Sequence, residues 1–333
     1  MKKIIIYIAF LAIGLTSCFE DEIPVSPYPR GDEQIATVDL TSKYIYQVYF
    51  NFEKGQAMKS NLYDVWDLAF QCYGDDFYVL LNGAKFMEAA DMGTVDFASL
   101  TSQENAAFKY DSTNLVFEDF AIGKWWSESS EGMAISKNHV YIVNRGRDTD
   151  NRRQGIYKVQ FLGFEDGHYN VRFAELKSTT YKEIKVPRKE NFNFIMLSLS
   201  GDGEVLELEP AKDDWDIVYT KYIAFLPFEG GLLPYSVTGI LINHTQTEAA
   251  RDSGNVFKDI SFEMIDDYKF SNQPDIIGHE WKWFDLESET YLARPDKNFL
   301  IRDGKGFYWK FHIIEYYNQM GERGYPQMEF KKL

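Results

Sequence analysis

Five histidines, His139, His168, His244, His279 and His312, and nine methionines are the side chains of this 333-residue chain best suited to ligating a transition metal. Imidazole is a good iron ligand and a thioether a soft one. Two such groups converging across a cleft would make a bis-His or His/Met site. His244 follows Ile240-Leu241-Ile242-Asn243 and precedes Thr245-Gln246-Thr247, which places it at a strand end facing solvent and makes it the leading candidate. His279 precedes Trp281 and can approach the same region. His312 shares strand parity with Lys310, opposite Trp309 and Phe311, so it is expected on the wetter face. Met87, Met92 and Met133 are the alternative soft ligands, although methionine also fills irregular cores. Taken singly, each histidine is accounted for as a surface or hydrogen-bonded side chain.

Other reactive groups carry less chemistry. Asp67 and Asp216, each directly after a tryptophan, read as acceptors of backbone N–H bonds, because an acid–base role needs a partner that the sequence does not supply. No GxSxG, HExxH, P-loop or dinucleotide fingerprint stands in a supporting context, and no constrained carboxylate pair is evident, so a noncatalytic protein is expected. Cys72 reads as a small buried hydrophobe. Arg145, Arg147, Arg152 and Arg153 form the one local basic cluster. It either serves acidic groups or solvates a long loop that also holds Asp148 and Asp150.

The elements that must position these residues repeat. Tyr63-Asp64-Val65-Trp66-Asp67-Leu68-Ala69-Phe70 aligns with Lys212-Asp213-Asp214-Trp215-Asp216-Ile217-Val218-Tyr219. Tyr44–Phe52 parallels Phe192–Leu199, and Val79-Leu80-Leu81-Asn82 parallels Ile240-Leu241-Ile242-Asn243. Lys124-Trp125-Trp126 parallels Glu280-Trp281-Lys282-Trp283, and Gly155–Leu162 parallels Phe307–Ile314. Matches in the same order at similar distances predict a duplicated module, over 35–183 and 184–333. Alternating β-branched and aromatic segments with Gly-containing turns predict an all-β fold of two tandem antiparallel modules. The clearest hairpins are Ile156–Phe164 with His168–Leu176, and Phe307–Asn318 with Tyr325–Leu333. Trp66, Trp125, Trp215, Trp281 and Trp309 are the expected structural aromatics of the module cores. Thr94–Ala107 is the one candidate for a short helix.

Charge and cysteine content bound the function classes. With 35 Lys+Arg against 51 Asp+Glu, the formal net charge of −16 gives no basic field to displace phosphate counterions, so nucleic acid is not an expected partner. The 22 Tyr, 26 Phe and 7 Trp demand burial or a recognition surface. Only Cys18 and Cys72 exist, which leaves no disulfide scaffold if Cys18 is modified. Lys2 and Lys3 precede the apolar run Ile4–Leu15, about 18 Å long as a helix and too short for a hydrocarbon core of roughly 30 Å. Followed by Leu15-Thr16-Ser17-Cys18, it reads as a lipoprotein signal peptide over 1–17 with lipid attachment at Cys18. Two acyl chains there would anchor the chain in lipid without a transmembrane helix. Residues 18–34, with Pro24, Pro27, Pro29 and several acids, read as an acidic tether.

The lipobox, Asp214-Trp215-Asp216-Ile217-Val218-Tyr219, Thr238-Gly239-Ile240-Leu241-Ile242-Asn243, Trp281–Phe284 and the last hairpin, Gly304–Phe330, together resemble the HmuY-like heme-binding lipoproteins of Bacteroidota. The second module matches over nearly its whole length, and the first resembles a diverged copy. The resemblance implies an all-β fold with a ligand cleft, heme b as cofactor, and delivery to a TonB-dependent outer-membrane receptor from the cell surface. The acidic Phe19-Glu20-Asp21-Glu22 resembles an export signal to that surface. His244, His279 and His312 are then the candidate axial ligands. Thr220-Lys221-Tyr222, after Tyr219, departs from the family by lacking a histidine. The competing expectation is a noncatalytic surface module that binds carbohydrate or protein and has lost heme.

Overall fold

The computed structural model describes residues 32–113, 115–128 and 134–333. The expected signal peptide, Cys18, most of the tether and Met133 lie outside the described residues. Period-two alternation governs the long hairpins: in Arg323–Lys332 the side Gly324, Pro326, Met328, Phe330 is buried while Tyr325, Gln327 and Glu329 are half-buried. Strands in chain order are β1 (Gln34–Thr37), β2 (Tyr46–Asn51), β3 (Gln56–Leu62), β4 (Leu68–Gln71), β5 (Val79–Leu81), β6 (Glu88–Asp91), β7 (Trp126–Glu128), β8 (Ala134–Ser136), β9 (Val140–Asn144), β10 (Ile156–Glu165) and β11 (His168–Glu175). They continue as β12 (Lys182–Pro187), β13 (Phe194–Ser198), β14 (Glu204–Leu206), β15 (Ile217–Phe228), β16 (Gly231–Ile242), β17 (Glu248–Asp252), β18 (Lys282–Asp285), β19 (Thr290–Ala293), β20 (Asn298–Arg302), β21 (Tyr308–Tyr317) and β22 (Arg323–Lys332). The fold is all-β and antiparallel. Thr94–Ala107 forms turns and irregular chain rather than a helix. Short polar side chains there bond local backbone instead: Asp96 Oδ1 accepts the Ser99 amide and Ser102 Oγ that of Glu104.

Two five-stranded sheets have matching orders, β12-β11-β10-β9-β6 and β1-β22-β21-β20-β17, and two four-stranded sheets do likewise, β14-β13-β4-β5 and β3-β2-β15-β16. In each pair the strands at the start of one half of the chain complete a sheet made from the other half. β13 pairs with β4 and β2 with β15. The boundary expected near 183 therefore falls inside β12, and the packed bodies divide elsewhere. One core, including Leu68, Phe70, Trp125, Phe161, Tyr169, Ile195 and Leu199, is drawn wholly from 68–199. The other joins Val38–Phe52 to 217–330 around Trp281, Trp309 and Phe311.

Corresponding side chains close each junction in the same way. The Leu199 amide donates to Asp67 Oδ2 and the Phe52 amide to Asp216 Oδ2, both at 2.7 Å. Asn82 Nδ2 donates to the carbonyls of Tyr63 and Trp66, and Asn243 Nδ2 to those of Lys212 and Trp215. Buried Lys158 and Lys310 each donate to carbonyls of the loop crossing behind their sheet, Leu100 in one case and Phe257 with Ile260 in the other.

Candidate functional site

Strand alternation leaves each four-stranded sheet with one face on its own core and the other turned toward a shared cleft. On β15, Ile217 and Tyr219 enter the core while Val218, Thr220 and Tyr222 line the cleft. On β13, Ile195 and Leu197 enter the core while Phe194 and Met196 line the cleft. Tyr49, Leu80, Leu241, Phe117 and Phe120 extend these mostly apolar walls around a cavity of about 210 Å³. A polar hollow of about 930 Å³ adjoins it, with Ala84 and Lys221 in the common wall and Arg147 and Arg153 on its rim.

His244 is the imidazole of this cleft. It is half-buried rather than facing solvent, because Asn243 is pinned by Asn193 and Lys212 and turns the following residue inward. Its Nε2 lies 2.8 Å from the Tyr73 hydroxyl, and its ring meets those of Tyr73 and Phe194. Burial pulls its pKa down to about 4, so the ring is neutral at neutral pH, the form that ligates metals. Met196, which the sequence reading missed, brings a thioether to the same cleft. Its signal was available: Phe192–Leu199 is apolar almost without interruption, as a strand covered on both faces must be.

The other candidates are scattered. His279 Nδ1 lies 3.3 Å from the Tyr222 hydroxyl, beside Gly278, which bridges to Ile240; a few residues of strand, on the order of 10 Å, separate that point from His244. His312 is buried, not on a wet face: it stacks on Phe257 at 4.0 Å and bonds the Pro295 carbonyl and Glu329. The reason is a third layer, in which Ile260 and Ile265 cover the back of β20 and β17. Met87 is wholly buried in the first core and Met92 is half-buried beyond β6. His139 bonds Asp91, and His168 the Asp166 carbonyl. No two histidines converge, and among the described residues no cluster of three or more His, Cys, Asp or Glu could hold a metal ion. The donors of the cleft, His244 and Met196, are of the kinds that suit heme iron. Its volume is below the ~300–1,000 Å³ of ordinary ligand pockets, so a porphyrin requires the two sheets to part.

Trp66 and Trp215 are cleft walls rather than members of the two large cores. The chain reaches Trp215 from a 3-10 turn at Lys212–Asp214, so the parity of β15 does not extend back to it. Trp125, Trp281 and Trp309 are core residues, each with a bonded indole N–H. Of the arginine cluster, Arg145 is consumed by Asp67 and Arg152 by Asp148 and Asp150.

Glu209 also lines the cleft. Its Oε1 accepts the amides of Asn193 and Phe194, yet burial pushes its pKa up to about 8. A carboxyl whose pKa rises on folding stabilises fully below its ordinary value near 4.5, and that contribution is lost as pH climbs through about 8. Glu209→Gln keeps the acceptor and removes the ionisation. The variant should therefore gain on the wild type by on the order of a few kcal/mol between pH 5 and pH 9. Urea midpoints at the two pH values check this, and a gap that does not change with pH refutes it.

The HmuY protein family matches residues 43–330 of the chain. Among solved structures, the chain is similar to a HmuY-like protein of Bacteroides vulgatus ATCC 8482 assigned as heme-binding, at 16% identity over 38% of this chain and 78% of that one, with a TM-score of 0.19. It is also similar to the apo HmuY analog of Tannerella forsythia, at 9% identity over 92% and 98% of the two chains, TM-score 0.26. A third is a protein of Bacteroides fragilis NCTC 9343 assigned as a lipoprotein, at 13% identity over 90% and 89%, TM-score 0.23. No curated protein matches. No helix among the described residues is long and apolar enough to cross a membrane.

Proposed function

The chain belongs to the HmuY family, and from that premise we propose that it is a noncatalytic, lipid-anchored surface protein that captures heme in the cleft between its two four-stranded sheets and passes it to a TonB-dependent outer-membrane receptor. The observation that carries this reading is a neutral imidazole, His244, held in an apolar cleft that also contains the Met196 thioether. His244 and Met196 are the side chains that would hold the iron, and bound heme would supply the Lewis-acidic metal they ligate. Tyr73 orients the imidazole, and Phe117, Phe120 and Leu241 keep water from the ligand. Anchoring would run through Cys18 to outer-membrane lipid. A receptor contact is supported by the apolar tip of the β15–β16 hairpin, where Phe228, Leu232, Leu233 and Tyr235 are exposed.

Titration of the mature protein with hemin is expected to give a saturable 1:1 Soret band, and His244→Ala to lose or shift it. His279→Ala and His312→Ala should leave it unchanged. Weak, unsaturable spectral change that is equal in wild type and His244→Ala sinks the proposal.

A further inference from the structure

Two arginines of the 145–153 cluster are left over by the ion pairs described above, and they face each other. An isolated antiparallel bridge sets Arg147 opposite Arg153, an unfavourable placement for like charges. Both are exposed and line the polar hollow of about 930 Å³. Arg147 Nη1 donates to the Asn151 carbonyl, and neither guanidinium meets a carboxylate among the described residues. From β15 the hollow receives half-buried Lys221, whose ammonium has the Tyr63 ring at 4.6 Å and, among the described residues, no hydrogen-bonded or ion-paired partner. The acids of the hollow are already engaged, Glu88 by Asn144 and Tyr110 and Asp148 by Arg152. In a chain of net charge −16, three cations gathered without counter-charges make an anion site. Its frame is preformed. Gly146 sits at φ +65°, where a side chain would overlap the Lys85 carbonyl, and the Arg147 amide donates to that same carbonyl. The amides of Asp148 and Gln154 close the loop onto the carbonyls of Arg152 and Gly146.

The remaining lining decides what kind of anion fits. The side chains of Gln103, Thr149, Asn151 and Ser236 make no hydrogen bond among the described residues, and Phe86, Tyr110 and Tyr235 add ring surface. A second hollow of about 500 Å³ shares Gln103 and Ile156 with the first, so the surface is long enough for several units. Unengaged amides and hydroxyls beside ring faces suit the hydroxyls and C–H faces of sugars. We infer that this hollow binds an acidic oligosaccharide, its carboxylates held by Arg147, Arg153 and Lys221 and its sugar rings by the aromatic side chains of the wall. The guanidinium forks match a carboxylate with paired hydrogen bonds. This site adjoins the proposed heme cleft but does not depend on heme.

Calorimetric titration of the mature protein with a tetramer of galacturonic acid tests this. Saturable 1:1 binding is expected, weakening as salt is added. Arg147→Gln and Arg153→Gln should each weaken it about tenfold, the worth of one charge-assisted hydrogen bond, with the hemin response of the wild type retained. Arg153 has no side-chain partner to lose, so its variant keeps the thermal melt of the wild type. The fully methyl-esterified tetramer, with the same rings and no charge, should bind about tenfold more weakly or worse. No binding of the acidic tetramer, or equal binding by wild type and both variants, overturns the inference. A tetraglutamate peptide that binds as tightly as the sugar also overturns it, because the hollow then reads charge alone. So does a loss of the hemin response in Arg153→Gln, which would make the hollow part of the heme site and leave the heme reading standing.

Discussion

Residues 63–210 expressed alone will fold cooperatively, whereas residues 35–183 will not. The first fragment holds both sheets of one body, β14-β13-β4-β5 and β12-β11-β10-β9-β6, and every member of its core. The second keeps the sequence repeat intact but lacks Val186, Phe192, Ile195, Leu197 and Leu199, all buried in that same core. At ~1.5–3 kcal/mol for each large apolar side chain withdrawn from water, the loss is roughly 7–15 kcal/mol. That matches the whole stability of an ordinary domain, about 5–15 kcal/mol. The fragment 35–183 also carries β1 and the β2–β3 hairpin without their partners β22 and β15, and the open edges invite aggregation. Near-UV circular dichroism and thermal melts of the two fragments decide the matter. A sharp melt from 35–183, or its absence from 63–210, would show that the strands are not exchanged between the halves.

This exchange is where the chain's pattern and its packing part company. The strands, the two long hairpins and the tryptophan–aspartate entries were legible, because alternation, turn glycines and repeated motifs are local properties. Which sheet a strand joins is not local: β13 reads the same whether it pairs with β4 or with β15. The halves are best understood, we propose, as copies of one module whose first three strands lie on the partner copy. Lys158 and Lys310, and Asn82 and Asn243, doing the same work in both bodies, support that reading.

The candidate site was legible in one residue. His244 was singled out because it follows the apolar run Ile240–Asn243 at a strand end. Its burial was not legible, since the wall opposite comes from Tyr73 and Phe194 of the other body. The same blindness to a covering layer put His312 on a wet face, although the loop through Phe257 and Ile260 closes over it. Trp66 and Trp215 looked like core residues because alternation was carried one step past the start of the strand.

Corresponding positions can still carry opposite electrostatics, and the largest single-residue effect follows from that. Asp67 sits between two buried cations: Lys85 Nζ is 2.5 Å from Oδ1 and Arg145 Nη2 is 2.9 Å from Oδ2, while the Leu199 amide takes a third bond. Asp67→Asn keeps a carbonyl for Leu199 but leaves Lys85 and Arg145 buried without a counter-charge, and should cost about 3–5 kcal/mol at pH 7. Asp216 has the matching amide bond from Phe52 but no buried cation. Burial first, then the nearby charges of Asp303 and Glu53, push its pKa up to about 7. Its protonated form is favoured by folding, so its contribution is complete below its ordinary value near 3.8 and is lost as pH rises through about 7. Asp216→Asn should therefore change stability by under ~1 kcal/mol near pH 5 and become stabilising relative to wild type by pH 9, where Asp67→Asn remains strongly destabilising. Urea unfolding of both variants at pH 5, 7 and 9 separates the two, and equal costs at all three would mean that the two aspartates share one role after all.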